Sequence, residues 1–353
     1  MMKITNLDIN VTADHAVIWQ DSRLYLLDQR VLPEVEQFVE LLTAEETADA
    51  ITRMVVRGAP AIGVTAAYGV VLAAREAYAQ SGSAWKQAIE PLLEVLEQAR
   101  PTAVNLSWAI QKMRGYIKTL DTENPEAFLT EKAIIIHKED IAANRAIGDF
   151  GASLIERDCG IITHCNAGAL ATGGYGTALG VVRSVHKQGK LTQVFADETR
   201  PWLQGARLTA WELVRDNIPV TLLADGAAAS RMAAGGIDWV VVGSDRIAAN
   251  GDVANKIGTY HLALAARFHG IKVMVAAPTS TVDMSLASGN DIPIEQRDPR
   301  ELLYCGDKRM AAQAVEAWNP VFDVTPASLV DAIVTEKGIV LGPDAEKMKK
   351  HMA

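Results

Sequence analysis

Between residues 159 and 277 the chain repeats one pattern. Short apolar runs at 160–163, 193–196, 220–223, 239–243 and 272–277 alternate with amphipathic stretches such as 206–216 and 260–268. Strands without a polar face need cover on both sides, and the intervening helices supply it. This predicts a Rossmann-like parallel sheet. Ligands of such open sheets gather beyond the carboxyl ends of the strands. The dinucleotide fingerprint is absent: after Gly174-Tyr175-Gly176 the next glycine, Gly180, stands one place too far, and no P-loop G-K-[ST] occurs. A nucleotide cofactor is therefore not expected.

The first part of the chain reads differently. Residues 17–19 and 24–27 flank the turn Asp21-Ser22-Arg23 as a hairpin. Thr43 and Glu46 have the spacing of a capping box. Arg57-Gly58-Ala59-Pro60 forms a loop before an Ala-rich helix over about 64–80, and Arg100-Pro101 precedes another helix start. After a polar break at 121–125, a long helix is expected to about 155. The expected organisation is a mostly helical N-terminal domain, 1–125, carrying a small antiparallel sheet, and a Rossmann-like α/β domain, 126–353.

The polar residues that follow the strands are the candidates for chemistry. The run 160–163 ends at His164-Cys165 and enters a glycine-rich segment. Glycine lets backbone amides approach an anion, but a free cysteine alone is usually a small buried hydrophobe. Asp197 and Asp245 each follow a buried run, where carboxylates take up either acid–base work or helix capping. Asn255 and Lys256 lie in the polar, glycine-rich stretch 250–258. Arg57 and Arg100 suit a phosphate or carboxylate, because guanidinium binds such anions bidentately; a solvated turn arginine is the other reading.

The net charge of −9 argues against a nucleic-acid partner, since no basic surplus is available for phosphates. No apolar run approaches a membrane span, and the start lacks an apolar signal region. Three cysteines, without metal-like spacing, point to a reducing, cytoplasmic setting. The seven histidines show no H-x-x-x-H or H-E-x-x-H spacing, so no metal is expected.

Six motifs then give the chain a resemblance. They are residues 55–63, Arg100-Pro101-Thr102-Ala103-Val104-Asn105-Leu106, Thr163-His164-Cys165-Asn166-Ala167-Gly168, Ala196-Asp197-Glu198-Thr199-Arg200-Pro201, residues 204–209 and residues 245–252. Together they resemble the methylthioribose-1-phosphate isomerases of methionine salvage, from about Val17 to Val340. Regulatory subunits of the translation initiation guanine-nucleotide exchange factor are related, and ribose-1,5-bisphosphate isomerase is the nearer catalytic relative. Two positions depart from the pattern: Gly226 stands where a polar residue is usual, and Ser244 where alanine is usual. The resemblance implies a catalytic cysteine at Cys165 and a catalytic acid at Asp245. It implies substrate binding by Arg57, Gly58, Ala59, Arg100, Gln204, Asn255 and Lys256. It also implies a sugar-phosphate substrate, an aldose–ketose isomerisation without metal or other cofactor, and a homodimer.

If the arginines hold the phosphate by their fork, lysine cannot replace them. Arg57→Lys and Arg100→Lys are each expected to weaken binding of a non-reactive sugar phosphate by roughly 1.5–3 kcal/mol. Calorimetric titration of each variant measures this, and unchanged affinity in both moves the phosphate elsewhere.

Overall fold

The computed structural model describes residues 3–101, 103–120 and 124–353; Thr102 and residues 121–123 of the expected polar break lie outside the described residues. The chain divides into two compact units. One comprises Met1–Asn144 with Gly168–Gly176, the other Arg145–Ala167 with Thr177–Ala353.

In the first unit, β1 (Lys3–Thr5), β2 (Val17–Gln20), β3 (Arg23–Leu27) and β4 (Phe38–Leu41) pair antiparallel in the order β1-β4-β3-β2. The β2–β3 turn is made by Asp21 and Ser22, both at positive φ, as a two-residue hairpin turn of matching twist requires. Thr43 caps helix Ala44–Thr52, its hydroxyl accepting the Glu46 amide at 3.1 Å. The Ala-rich helix runs Ala59–Ser81, starting earlier than the sequence suggests. Pro60 sits in its first turn, where a missing N–H costs nothing. Helix Val104–Thr119 follows the second arginine loop.

Helix Glu126–Ser153 begins where the domain boundary was expected, yet the two units divide inside it, between Asn144 and Arg145. Its first part belongs to the first unit: His137 bonds the Tyr68 hydroxyl at 3.1 Å, and Asp140 accepts the Gly173 amide at 2.7 Å. Its last part joins the second core, where a Cβ on Gly151 would stand 2.5 Å from Val181.

The second unit is built on strands β5 (Cys159–Thr163), β6 (Leu191–Asp197), β7 (Val220–Leu223), β8 (Trp239–Val242), β9 (Arg246–Ala248), β10 (Val253–Lys256), β11 (Lys272–Ala276), β12 (Val282–Asp283), β13 (Tyr304–Cys305), β14 (Lys308–Arg309), β15 (Phe322–Thr325), β16 (Ala332–Thr335) and β17 (Gly338–Leu341). Its main sheet has the order β17-β16-β11-β8-β5-β6-β7. All pairings are parallel except β16 with β17. The five expected strands are all present. Alternate residues feed opposite cores, as the period of two demands. Ile162, Val240, Val242, Val273 and Val275 meet Met232, Leu262 and Ala266 on one face. Ile161, Trp239, Val241 and Met274 meet Ile147, Val181, Val182 and Leu213 on the other. No described helix is long and apolar enough to cross a membrane.

Two features were not foreseen. Strands β16 and β17 extend the sheet edge, and a second sheet forms in the order β12-β9-β10-β15. Asn255 and Lys256, expected in a loop, end strand β10 instead. The polar turn Asn250-Gly251-Asp252, with Gly251 at φ 87°, closes a β9–β10 hairpin rather than a long loop.

From β5 the sheet grows outward through β6 and β7. The chain then crosses back to lay β8, β11 and β16 on the other side of β5. The reversal falls between β5 and β8.

Gly205 has no room for a side chain: a Cβ would stand 1.6 Å from the carbonyl oxygen of Asp197. Gly205→Ala is expected to cost at least about 1–3 kcal/mol through overpacking against rigid backbone. Urea unfolding followed by circular dichroism measures it, and an unshifted midpoint contradicts the packing.

Candidate functional site

The β5 strand leaves the sheet through His164 and Cys165, and β8 leaves through Gly243, Ser244 and Asp245. Because β5 and β8 are parallel neighbours, the two turns emerge side by side at the switch point, where open α/β sheets bind ligands. They also touch: a Cβ on Gly243 would stand 2.6 Å from that of Ala167. The Asp245 amide donates to Ala254 at 3.0 Å, which ties this turn to β10. At the end of β10, Lys256 lies 4.7 Å over the Phe322 ring. Asn255 is buried and donates to Thr259 Oγ1 at 2.9 Å.

His164 holds these pieces together. It is 2% exposed, Nδ1 meets Asp197 Oδ2 at 2.9 Å, and Nε2 meets the Ile257 carbonyl at 2.8 Å. A carbonyl only accepts, so Nε2 carries a proton, and a second proton sits between Nδ1 and the carboxylate. Burial opposes charge on the imidazole, but the hydrogen bond and charge of Asp197 outweigh it and raise His164 above its ordinary value. Burial also raises Asp197, with His164 opposing. Both directions say the same thing: the shared proton is hard to remove. Asp197 therefore serves His164 rather than a helix end.

Cys165 has an unusual backbone, with φ at 63°. Its N–H donates to Thr199 Oγ1 at 2.8 Å, and its carbonyl accepts from Thr209 Oγ1 at 2.6 Å. The neighbouring Asn166 is buried and donates to Glu212 Oε1 at 2.9 Å. Glu212, in turn, pairs with Arg183 at 2.9 Å. Beyond the small, glycine-rich residues that follow this turn, the next helix of the second unit runs Ala178–Lys187.

Gln204 and Lys256 line one small cleft with Trp202, Arg297, Glu301 and Asn319. Gln204 is buried, and its Oε1 has no protein partner. Cys165, Asp245, Gln204, Asn255 and Lys256 all belong to the second unit, where Gln204 and Lys256 line the same cleft. Arg57, Gly58, Ala59 and Arg100 belong to the first unit. There Arg57 is buried, Gly58 has φ 95°, and its missing Cβ makes way for Ala171 at 2.6 Å. Arg100 is half-buried before helix Val104–Thr119.

Among the described residues, His164, Asp197 and Asp225 bring metal-type ligand atoms within 4.8 Å of one another. Both His164 nitrogens are engaged as described. Asp225 accepts the amides of Thr199 at 2.7 Å and Arg200 at 2.8 Å, one on each oxygen. Sequence reading overlooked Thr199, Thr209 and the binding role of Asp225. Threonines carry no signal by themselves, and only the crossing of three strand ends unites them.

Residues 55–342 match the Initiation factor 2 subunit family. A methylthioribose-1-phosphate isomerase from Nitrosococcus oceani is 56% identical over 344 residues, covering 96% of this chain and 99% of the relative. The crystal structure of 5-methylthioribose 1-phosphate isomerase from Pyrococcus horikoshii superposes with a TM-score of 0.90 at 44% identity, covering 95% of each chain. A structure described as translation initiation factor eIF-2B subunit delta from A. fulgidus gives 0.87 at 41% identity, over 96% of this chain and 98% of that one.

Asp197→Asn removes the charge that most raises His164, leaving burial opposed only by the Ile257 carbonyl and the more distant charge of Asp225. The imidazole is then expected to titrate lower than in the parent protein. Nitrogen-15 shifts of the His164 ring across pH report this, and a midpoint unchanged from the parent protein contradicts the pairing.

Proposed function

The chain belongs to the Initiation factor 2 subunit family, and from that premise we propose that it is an aldose–ketose isomerase converting 5-methylthioribose 1-phosphate to 5-methylthioribulose 1-phosphate. The observation that supports it most is the pair of turns bearing Cys165 and Asp245 at the switch point of the sheet. Identity of 56% over nearly the full length of an isomerase of that name points the same way. The 41% identity to a chain described as an initiation-factor subunit favours a second reading, a non-catalytic regulatory subunit. The presence of both Cys165 and Asp245 weighs for the enzyme. Ribose 1,5-bisphosphate is the alternative substrate.

The substrate's phosphate sits on the anomeric carbon, so its ring does not open as a free sugar does. In the proposed reaction Asp245, protonated, donates to the ring oxygen as the C1–O bond breaks. Hydrogen then moves from C2 to C1. Cys165 as thiolate takes the C2 proton in an enediol route, or stabilises developing charge in a hydride shift. Deuterium from solvent in the product distinguishes the two. Arg57, Gly58, Ala59, Arg100, Gln204, Asn255 and Lys256 are the proposed substrate contacts, with the cationic groups on the phosphate. The free cysteines support a reducing, cytoplasmic setting, and the resemblance supports action in methionine salvage as a homodimer.

Purified protein assayed against both sugar phosphates tests the reading. Turnover of 5-methylthioribose 1-phosphate is expected, and none with either substrate favours the regulatory subunit. Cys165→Ser and Asp245→Asn are each expected to lower kcat by about two to four powers of ten while circular dichroism stays unchanged. Near-normal turnover in either folded variant removes that residue from the mechanism.

A further inference from the structure

Cys165 sits in the left-handed region at φ 63°, a conformation strained for a non-glycine residue that persists only where its surroundings enforce it. The enforcement is visible. Both polar groups of the Cys165 backbone are taken by threonine hydroxyls from other segments: Thr199 accepts its N–H at 2.8 Å, and Thr209 donates to its carbonyl at 2.6 Å. Both threonines are fully buried. Thr209 closes the π-helical segment Gly205–Thr209, an irregularity of the kind found at functional sites.

Thr199 is itself held under constraint. Its φ is 62°, again left-handed. Its hydroxyl donates to the Asp197 carbonyl at 3.1 Å, which turns a lone pair toward the Cys165 amide. Its own amide is bound by Asp225 Oδ1 at 2.7 Å, while Asp225 Oδ2 binds the next amide at 2.8 Å. Asp225 follows β7, Thr199 follows β6 and Cys165 follows β5. The relay therefore runs along the carboxyl ends of three adjacent strands and ends at the thiol's own peptide.

We propose that Thr199, braced by Asp225, is a positioning residue that locks the backbone of Cys165 and so aims its thiol. The proposal rests on the reading of Cys165 as catalytic. A hydroxyl is the smallest group that both accepts from Cys165 N–H and donates to Asp197 C=O. Valine keeps the shape and offers neither bond, whereas serine keeps both. A misaimed catalytic group costs turnover far more than binding, because substrate contacts made elsewhere are untouched.

The test uses the full chain with Thr199→Val, Thr199→Ser and Asp225→Asn. It measures kcat and KM, and separately the pH-dependent rate of Cys165 alkylation by iodoacetamide, read by mass spectrometry. Thr199→Val is expected to lower kcat about ten- to a hundredfold with KM within about twofold. Its alkylation rate is expected to shift at least about threefold at fixed pH, while Thr199→Ser restores both readouts to near the parent values. Asp225→Asn, which turns an amide donor toward a backbone N–H, is expected to fall between them and serves if the valine variant does not fold. A valine variant with parent kcat and parent alkylation profile overturns the proposal, as does a serine variant as impaired as valine. If Cys165→Ser retains turnover, the catalytic reading of Cys165 fails; the alkylation rates then still decide whether Thr199 positions the thiol.

Discussion

The position of β5 is the constraint on which the second unit depends. It lies between β6 and β8, parallel to both, and every one of its residues is buried. Ile161 and Ile162 point into opposite cores, so neither face can shift without exposing a branched side chain. Fixing β5 fixes what leaves its carboxyl end. His164 and Cys165 are delivered at one point of the molecule, beside the turn that leaves β8. Parallel strands of a crossover sheet all end on the same edge, so the polar residues after β6, β7 and β8 arrive there too.

At that edge the structure spends its buried polar groups on holding backbone. His164 links the end of β6, through Asp197, to the segment after β10, through Ile257. Asp225 binds two amides and Thr199 a third. Asn166 reaches a buried carboxylate that is itself paired with an arginine. Burying such groups is costly unless each finds a partner, and the partners here come from separate strands. Satisfying them therefore fixes the turns relative to one another. Rigid presentation of two proposed catalytic side chains is the functional consequence.

The amino-acid sequence by itself determined the α/β class of the second unit, because Val- and Ile-rich runs that alternate with amphipathic helical stretches imply a parallel sheet covered on both faces. It also determined the hairpin at Asp21-Ser22 and the cap at Thr43, where local backbone chemistry decides. The resemblance implied, residue by residue, the proposed roles of Cys165, Asp245 and the proposed substrate contacts. Tertiary structure alone decided the rest. Strands β16 and β17 and the β9–β10 hairpin depend on pairing partners remote in sequence, which no local pattern announces. The division inside helix Glu126–Ser153 depends on which neighbours each end meets: Tyr68 and Gly173 for one, Val181 for the other. The threonine hydroxyls around Cys165 and the proton shared by His164 and Asp197 could not be read from residue types. Thr199, Thr209 and Asp225 are ordinary turn and helix residues until three strand ends bring them within hydrogen-bonding distance.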